Sequence, residues 1–258
     1  MFETGLTSIS FRPHTIEEIL GAASRAGLHQ MEFGSDVHVP AGDTALARAV
    51  RQETESCGMA AGSYGSYFRL GTSADPAAAI VPYLDTADAL GASVIRIWGG
   101  TVGSKDLTDA QFDALAAEGQ QLAETAAARG KVLALECHPG TLTDEYPSAL
   151  RYMTAVDHPS MRMYWQPNQN HDHAYNLEAA EALVPYTTNI HVFSWEIRNG
   201  RLVKLPLAAH ADRWHEYLSI FARHGGTHSL LLEFMHDDRL ESLAETAAEL
   251  NRWAHAFD

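Results

Sequence analysis

Short apolar runs rich in β-branched residues alternate along the whole chain with longer stretches whose apolar positions recur every three to four residues. The runs Leu6–Ser10, Gln30–Phe33, Met59–Tyr64, Ser93–Trp98, Lys131–Glu136, Arg162–Gln166, Asn189–Phe193 and Ser229–Phe234 are predicted strands. Helices are predicted between them, with readable ends. Thr15 to Glu18 and Thr108 to Gln111 form capping boxes, and Asp75-Pro76 offers an N-cap followed by proline at the first helical position. Gly27, Gly58, Gly91, Gly130 and Gly225 each close a helix before the next strand. Between Thr108 and Arg129, the residues Phe112, Leu115, Ala116 and Leu122 fall along one face, as packing against a sheet requires.

Eight strand–helix units in 258 residues average about 32 residues each, the size of one strand plus one crossover helix. No linker-like segment interrupts the alternation, so residues 1–258 read as one α/β domain, a single closed (β/α)8 barrel. An open doubly wound sheet is the competing architecture. It would carry a glycine-rich loop after the first strand, whereas Ser10 to His14 contains no glycine. Gly99-Gly100-Thr101-Val102-Gly103 lacks the dinucleotide spacing and reads as a tight turn.

Charge and composition narrow the partners. With 33 acidic and 18 basic residues the net charge is −15, and no Lys/Arg cluster offers a groove for a phosphate backbone, so nucleic acid is not an expected partner. Cys57 and Cys137 are the only cysteines and belong to no C-x-x-C motif, which suits a reducing cytoplasm. No apolar run approaches the ~18 residues that span a bilayer, and the residues after Met1 lack a secretory pattern. A cytoplasmic protein without a membrane partner is expected, with homo-oligomerisation through outer helices open.

In such a barrel the chemistry gathers at the C-terminal ends of the strands. The fifth predicted strand ends in Glu136, the sixth in Gln166, the seventh carries His191 and the eighth ends in Glu233. Two carboxylates, an imidazole and an amide oxygen form a mostly hard donor set. It suits one divalent metal ion, Mn²⁺ or Mg²⁺ first, with Co²⁺ or Zn²⁺ also compatible. A glutamate between apolar strand residues costs free energy unless a metal or partner compensates it.

These segments, with Leu6-Thr7-Ser8-Ile9-Ser10 and Met31-Glu32-Phe33-Gly34, resemble the xylose-isomerase-like TIM-barrel superfamily of sugar isomerases and epimerases. The superfamily also includes inosose dehydratase, hydroxypyruvate isomerase and an endonuclease acting at abasic sites. The resemblance covers nearly the whole chain. It implies a single metal held by Glu136, Gln166, His191 and Glu233, with Gln166 standing where the family usually has aspartate. An amide there removes one negative charge, so the metal is held more weakly or the site is degenerate. It also implies that Glu136 and Glu233 act as the catalytic base and acid, exchanging protons with a carbon beside a carbonyl through an enediolate.

Further candidates surround that set. His138 could hydrogen-bond a sugar hydroxyl, as could Lys204 or Arg201 in the loop after the seventh strand; solvated loop residues are the alternative for all three. Trp98, Tyr64, Phe68, Trp165 and Trp195 offer aromatic faces to a sugar ring, or plain packing. His14 is expected on the active side. His171 and His173 would make a second metal site only with a fixed carboxylate nearby. Glu32 is expected to pair with Arg96 in preference to contacting substrate, and His210, His215, His224 and His255 to lie on the surface. The expected function is metal-dependent isomerisation or epimerisation of a sugar, keto-sugar or polyol. A lyase acting by β-elimination and a metal-free sugar-binding barrel are the alternatives.

Overall fold

The eight predicted strands close into one parallel barrel. The computed structural model describes residues 1–257. Its strands are β1 (Phe2–Thr7), β2 (Gln30–Gly34), β3 (Ala60–Arg69), β4 (Val94–Trp98), β5 (Val132–Glu136), β6 (Met161–Trp165), β7 (Thr187–Val192), β8 (Ser194–Arg198), β9 (Arg201–Leu205) and β10 (His228–Leu232). All but β8 and β9 form the barrel, which closes through β1 and β10; β8 and β9 pair as a separate antiparallel hairpin. The competing open sheet is thereby excluded. Closure removes both edges of the barrel sheet, so each of its eight strands is paired on both sides.

Helices cover the outside: α1 (Ile16–Arg25), α2 (Thr44–Ser56), α3 (Pro76–Ala79), α4 (Val81–Leu90), α5 (Asp109–Ala127), α6 (Tyr146–Val156), α7 (His173–Leu183), α8 (Ala211–His224) and α9 (Leu243–His255). Both expected capping boxes form, Thr15 with Glu18 and Thr108 with Gln111. Gly91 ends α4 at φ 79°, a conformation that costs glycine little because it has no Cβ. Among the described residues no helix is long and apolar enough to cross a membrane.

Three segments differ from their predicted form. The first strand is Phe2–Thr7, not Leu6–Ser10, because the hydroxyls of Thr7, Ser8 and Ser10 turn the chain after Thr7. Thr7 and Ser10 share a hydrogen bond of 3.0 Å, and Ser8 accepts one from the Gly34 backbone. The third strand runs on to Arg69 with a register shift after Gly65. The segment after β7, read as a loop, is the β8–β9 hairpin, turned at Asn199-Gly200 with φ of 54° and 71°.

Alternation along each strand divides the core. Outward side chains such as Trp165, packed on Trp214, Tyr217 and Phe221, fill the layer beneath the helices. Inside the barrel, Val94, Ala134, Tyr164 and Leu231 form a plug. Directly above it the interior becomes polar, with Glu32, Arg96 and Glu136 all nearly inaccessible to solvent. Gly65 makes room for this layer: a Cβ there would lie 2.9 Å from Glu32 Oε1 and 3.1 Å from Arg96 Nη2. Gly65→Ala is therefore expected to destabilise the protein by about 1–3 kcal/mol, the cost of overpacking. Urea denaturation checks this, and an unchanged midpoint would mean that the polar layer yields freely.

Candidate metal centre at the barrel mouth

Strand ends deliver the polar cluster. Glu136 is the last residue of β5, Gln166 and Glu233 follow β6 and β10, and His191 lies one residue before the end of β7. All four are buried. Ligand atoms of Glu136, His191 and Glu233 lie within 4.8 Å of one another. His191 Nδ1 stands 3.5 Å from Glu233 Oε2 and 3.8 Å from Glu136 Oε1, while its Nε2 faces Glu32 Oε1 at 3.6 Å. A carboxylate behind an imidazole is the usual way in which a metal-ligating histidine is oriented.

The anticipated Glu32–Arg96 pair is present, with Nε 3.3 Å from Oε1, but Arg96 does more. Its Nη1 also donates to Glu136 Oε2, and Trp98 Nε1–H donates to that same oxygen at 2.7 Å. With Oε2 held from two sides, Oε1 is turned toward His191. Gln166 adds a further constraint. Its amide nitrogen donates to the Cys137 carbonyl at 2.7 Å and lies 3.4 Å from Glu136 Oε1, so its oxygen faces inward, 3.1 Å from His191 Nδ1.

Burial opposes ionisation throughout the cluster, and the outcome differs by residue. For Glu32 it is outweighed by His191 and Arg96, which hold the carboxyl down at about 2. Arg96 and His191 likewise outweigh burial at Glu136 and keep it below the usual carboxylate range. At Glu233 burial prevails, reinforced by the charge of Glu136 against the opposing pull of His191, and its pKa rises to about 7. For His191 the surrounding carboxylates, Glu233 foremost, overcome burial and lift it to about 9.

Three buried carboxylates thus face one guanidinium and one imidazole. Glu233 Oε2 has no hydrogen-bond partner among the described residues. A divalent cation ligated by Glu136, His191 and Glu233 would satisfy that oxygen and offset the surplus negative charge, so the residues present fit a metal.

Above the cluster opens a cavity of about 260 Å³. Trp98 and His138 line it, stacked with ring centroids 4.3 Å apart, as do Glu136, Gln166 and Glu233. Arg12, Tyr67, Gln169 and Phe234 also line it and were not anticipated. Three expected substrate contacts lie elsewhere. Tyr64 points out of the barrel, fully buried, and donates to the Val39 carbonyl at 2.8 Å. His14 sits before α1, where Nδ1 pairs with Glu18 at 3.3 Å, and Lys204 on β9 is paired with Asp238. Phe68 and Trp165 are buried outside the barrel as well, and Trp195 packs on Phe193. His171 binds Glu145, whereas His173 binds Tyr217 and Glu216, so the two share no site.

Fold and site together define a (β/α)8 barrel with a buried Glu–His–Glu cluster at its C-terminal mouth. The family model for the xylose isomerase-like TIM barrel matches residues 11–255. The chain belongs to that family.

Among curated proteins none matches it in sequence. Solved structures share the fold at low identity. The probable 3-DHS dehydratase AsbF of Bacillus anthracis superposes with a TM-score of 0.79 at 20% identity, covering 97% of this chain and 99% of that one. A xylose isomerase-like barrel of Mycobacterium smegmatis, in complex with magnesium, gives 0.74 at 16% identity over 99% and 98%. An L-ribulose 3-epimerase gives 0.71 at 16% over 96% and 86%.

Removing the guanidinium would leave Glu32 and Glu136 facing each other without compensation. Arg96→Met is expected to cost about 3–5 kcal/mol in chelator-treated protein. Thermal and urea denaturation would show it, and a cost below about 1 kcal/mol would mean that the carboxylates find other partners.

Proposed function

We propose that the chain is a metal-dependent isomerase or epimerase of a sugar, keto-sugar or polyol, acting by proton transfer at a carbon beside a carbonyl. The observation that carries this reading is the pairing of Glu136 and Glu233 about His191, with their proton affinities pushed apart. Glu136, Gln166, His191 and Glu233 would hold the ion, with Mn²⁺ first and Mg²⁺, Co²⁺ or Zn²⁺ as substitutes. When bound, a divalent ion supplies Lewis acidity toward a carbonyl and its neighbouring hydroxyl.

The protein supplies the proton traffic. Glu136, kept ionised by Arg96 and aligned by Trp98, is the group that takes the proton. Glu233 returns a proton to the substrate, and the two exchange roles in the reverse direction. Trp98 and Phe234 offer apolar faces to the C–H side of a sugar, and His138 offers a polar edge. Walls formed by strand ends hold these groups on rigid supports, as proton transfer over a short distance demands.

His138 supports a second reading. It lines the cavity two residues from Glu136, and an imidazole there could protonate a β-leaving hydroxyl after the same abstraction, making the enzyme a lyase. The fold likeness to a dehydratase is compatible with either reading.

Incubation of the manganese-loaded protein with ketoses in D₂O tests the proposal. Isomerase or epimerase activity places deuterium on the carbon beside the carbonyl with the carbon skeleton intact, whereas a lyase yields an unsaturated product absorbing in the ultraviolet. Glu136→Gln and Glu233→Gln are each expected to slow the exchange by about 10²–10⁴-fold. Exchange at the parental rate in either variant would remove that residue from the mechanism, and binding without exchange in the parent would favour a non-catalytic sugar-binding barrel.

A further inference from the structure

We infer that the substrate is an uncharged monosaccharide or polyol of a single sugar unit, and that sugar phosphates and sugar acids are rejected on charge. This rests on the proposed reaction at the same site.

Arg96 is shared between Glu32 and Glu136. Arg12 spends Nη1 on Asp36 and donates from Nη2 to the Tyr67 hydroxyl at 2.8 Å. Lys204, above the mouth, is held by Asp238. Arg69 has no carboxylate within ion-pair distance among the described residues, but it lies flat on Trp98, donates to the Gly100 carbonyl and is not part of the lining. Each arginine that lines the cavity is therefore already paired with a carboxylate.

Charge within the site leads to the same conclusion. With His191 neutral as a metal ligand, Glu32, Glu136 and Glu233 against Arg96 and a divalent ion leave no net positive charge, and the chain around them carries a net −15. Aspartate in place of Gln166 would make the balance negative; the amide makes it neutral. An anion entering here would lose its water without gaining an unpaired cation in exchange.

Several backbone donors at this end of the barrel are also taken by side chains. Thr15 and Glu18 close the N-terminus of α1, and the Asp172 carboxylate caps α7. In the turn after β10, the Asp237 carboxylate already accepts from the Arg239 backbone and the Ser242 hydroxyl, filling the place of an anion with a side chain.

What remains suits hydroxyl groups. Because Tyr67 accepts from Arg12, its own proton is free to donate into the cavity, and Gln169 supplies both a donor and an acceptor. A cavity of about 260 Å³ at the mouth has room for one sugar unit.

Calorimetric titration of the manganese-loaded protein with the D- and L-ketohexoses, their phosphate esters and the corresponding hexonates tests the inference. At least one neutral ketohexose should bind, and at least tenfold more tightly than its own phosphate or any hexonate. Asp36→Asn, which releases Arg12, should improve binding of the charged compounds at least tenfold while leaving the neutral sugar within about twofold. Equal or tighter binding of an anion by the parent protein, or no binding by any neutral sugar, overturns the inference. Failure of the proposed reaction is a separate result: a neutral sugar that binds as expected but exchanges no C–H for deuterium.

Discussion

The structure depends on one buried guanidinium. Arg96 lies in the barrel interior between Glu32 and Glu136, on top of an apolar plug and beneath the mouth. Three carboxylates cannot share so dry a space unless cations divide them, because each unpaired charge would cost several kcal/mol of lost hydration. Arg96 compensates two of the three. It leaves Glu233, the third, with an unsatisfied oxygen facing His191, and it turns the other oxygen of Glu136 toward the same point. The vacancy in hydrogen bonding at Glu233 and the alignment of Glu136 are two consequences of the same ion pair.

Much of this was legible from the sequence because barrel strands obey a simple rule. Glu136, Gln166, His191 and Glu233 stand at or near the C-terminal ends of consecutive barrel strands, and the closed barrel brings such ends to one mouth. Parity within a strand decides the remaining positions. Tyr64 lies one residue from Ser63 and Gly65, both of which face Glu32, so it must point outward; Tyr67, beyond the irregularity that follows Gly65, faces the cavity instead. Trp165 lies between inward Tyr164 and Gln166 and is directed outward for the same reason.

Loops obeyed no such rule. The pairing of Arg12 with Asp36 joins two different βα loops, and no local pattern announces it. Lys204 lies on β9, paired with Asp238, and not in a loop over the substrate. Asn199-Gly200 between two alternating runs is the hairpin signal that would have corrected the reading and shown Lys204 as part of a strand. The sequence marks Gln166 as an amide where the family usually has aspartate, and the structure shows how that amide is oriented. The Cys137 carbonyl fixes its nitrogen, and its oxygen is thereby presented to the cluster.

The central claim is that this cluster, with an amide in place of a third carboxylate ligand, still holds a metal. Elemental mass spectrometry on protein purified without chelators or a metal-binding tag tests it most directly. The account predicts about one divalent ion per chain, bound as purified or after incubation with Mn²⁺, and its loss in Glu136→Ala. A parent protein that stays metal-free in excess Mn²⁺ would contradict it.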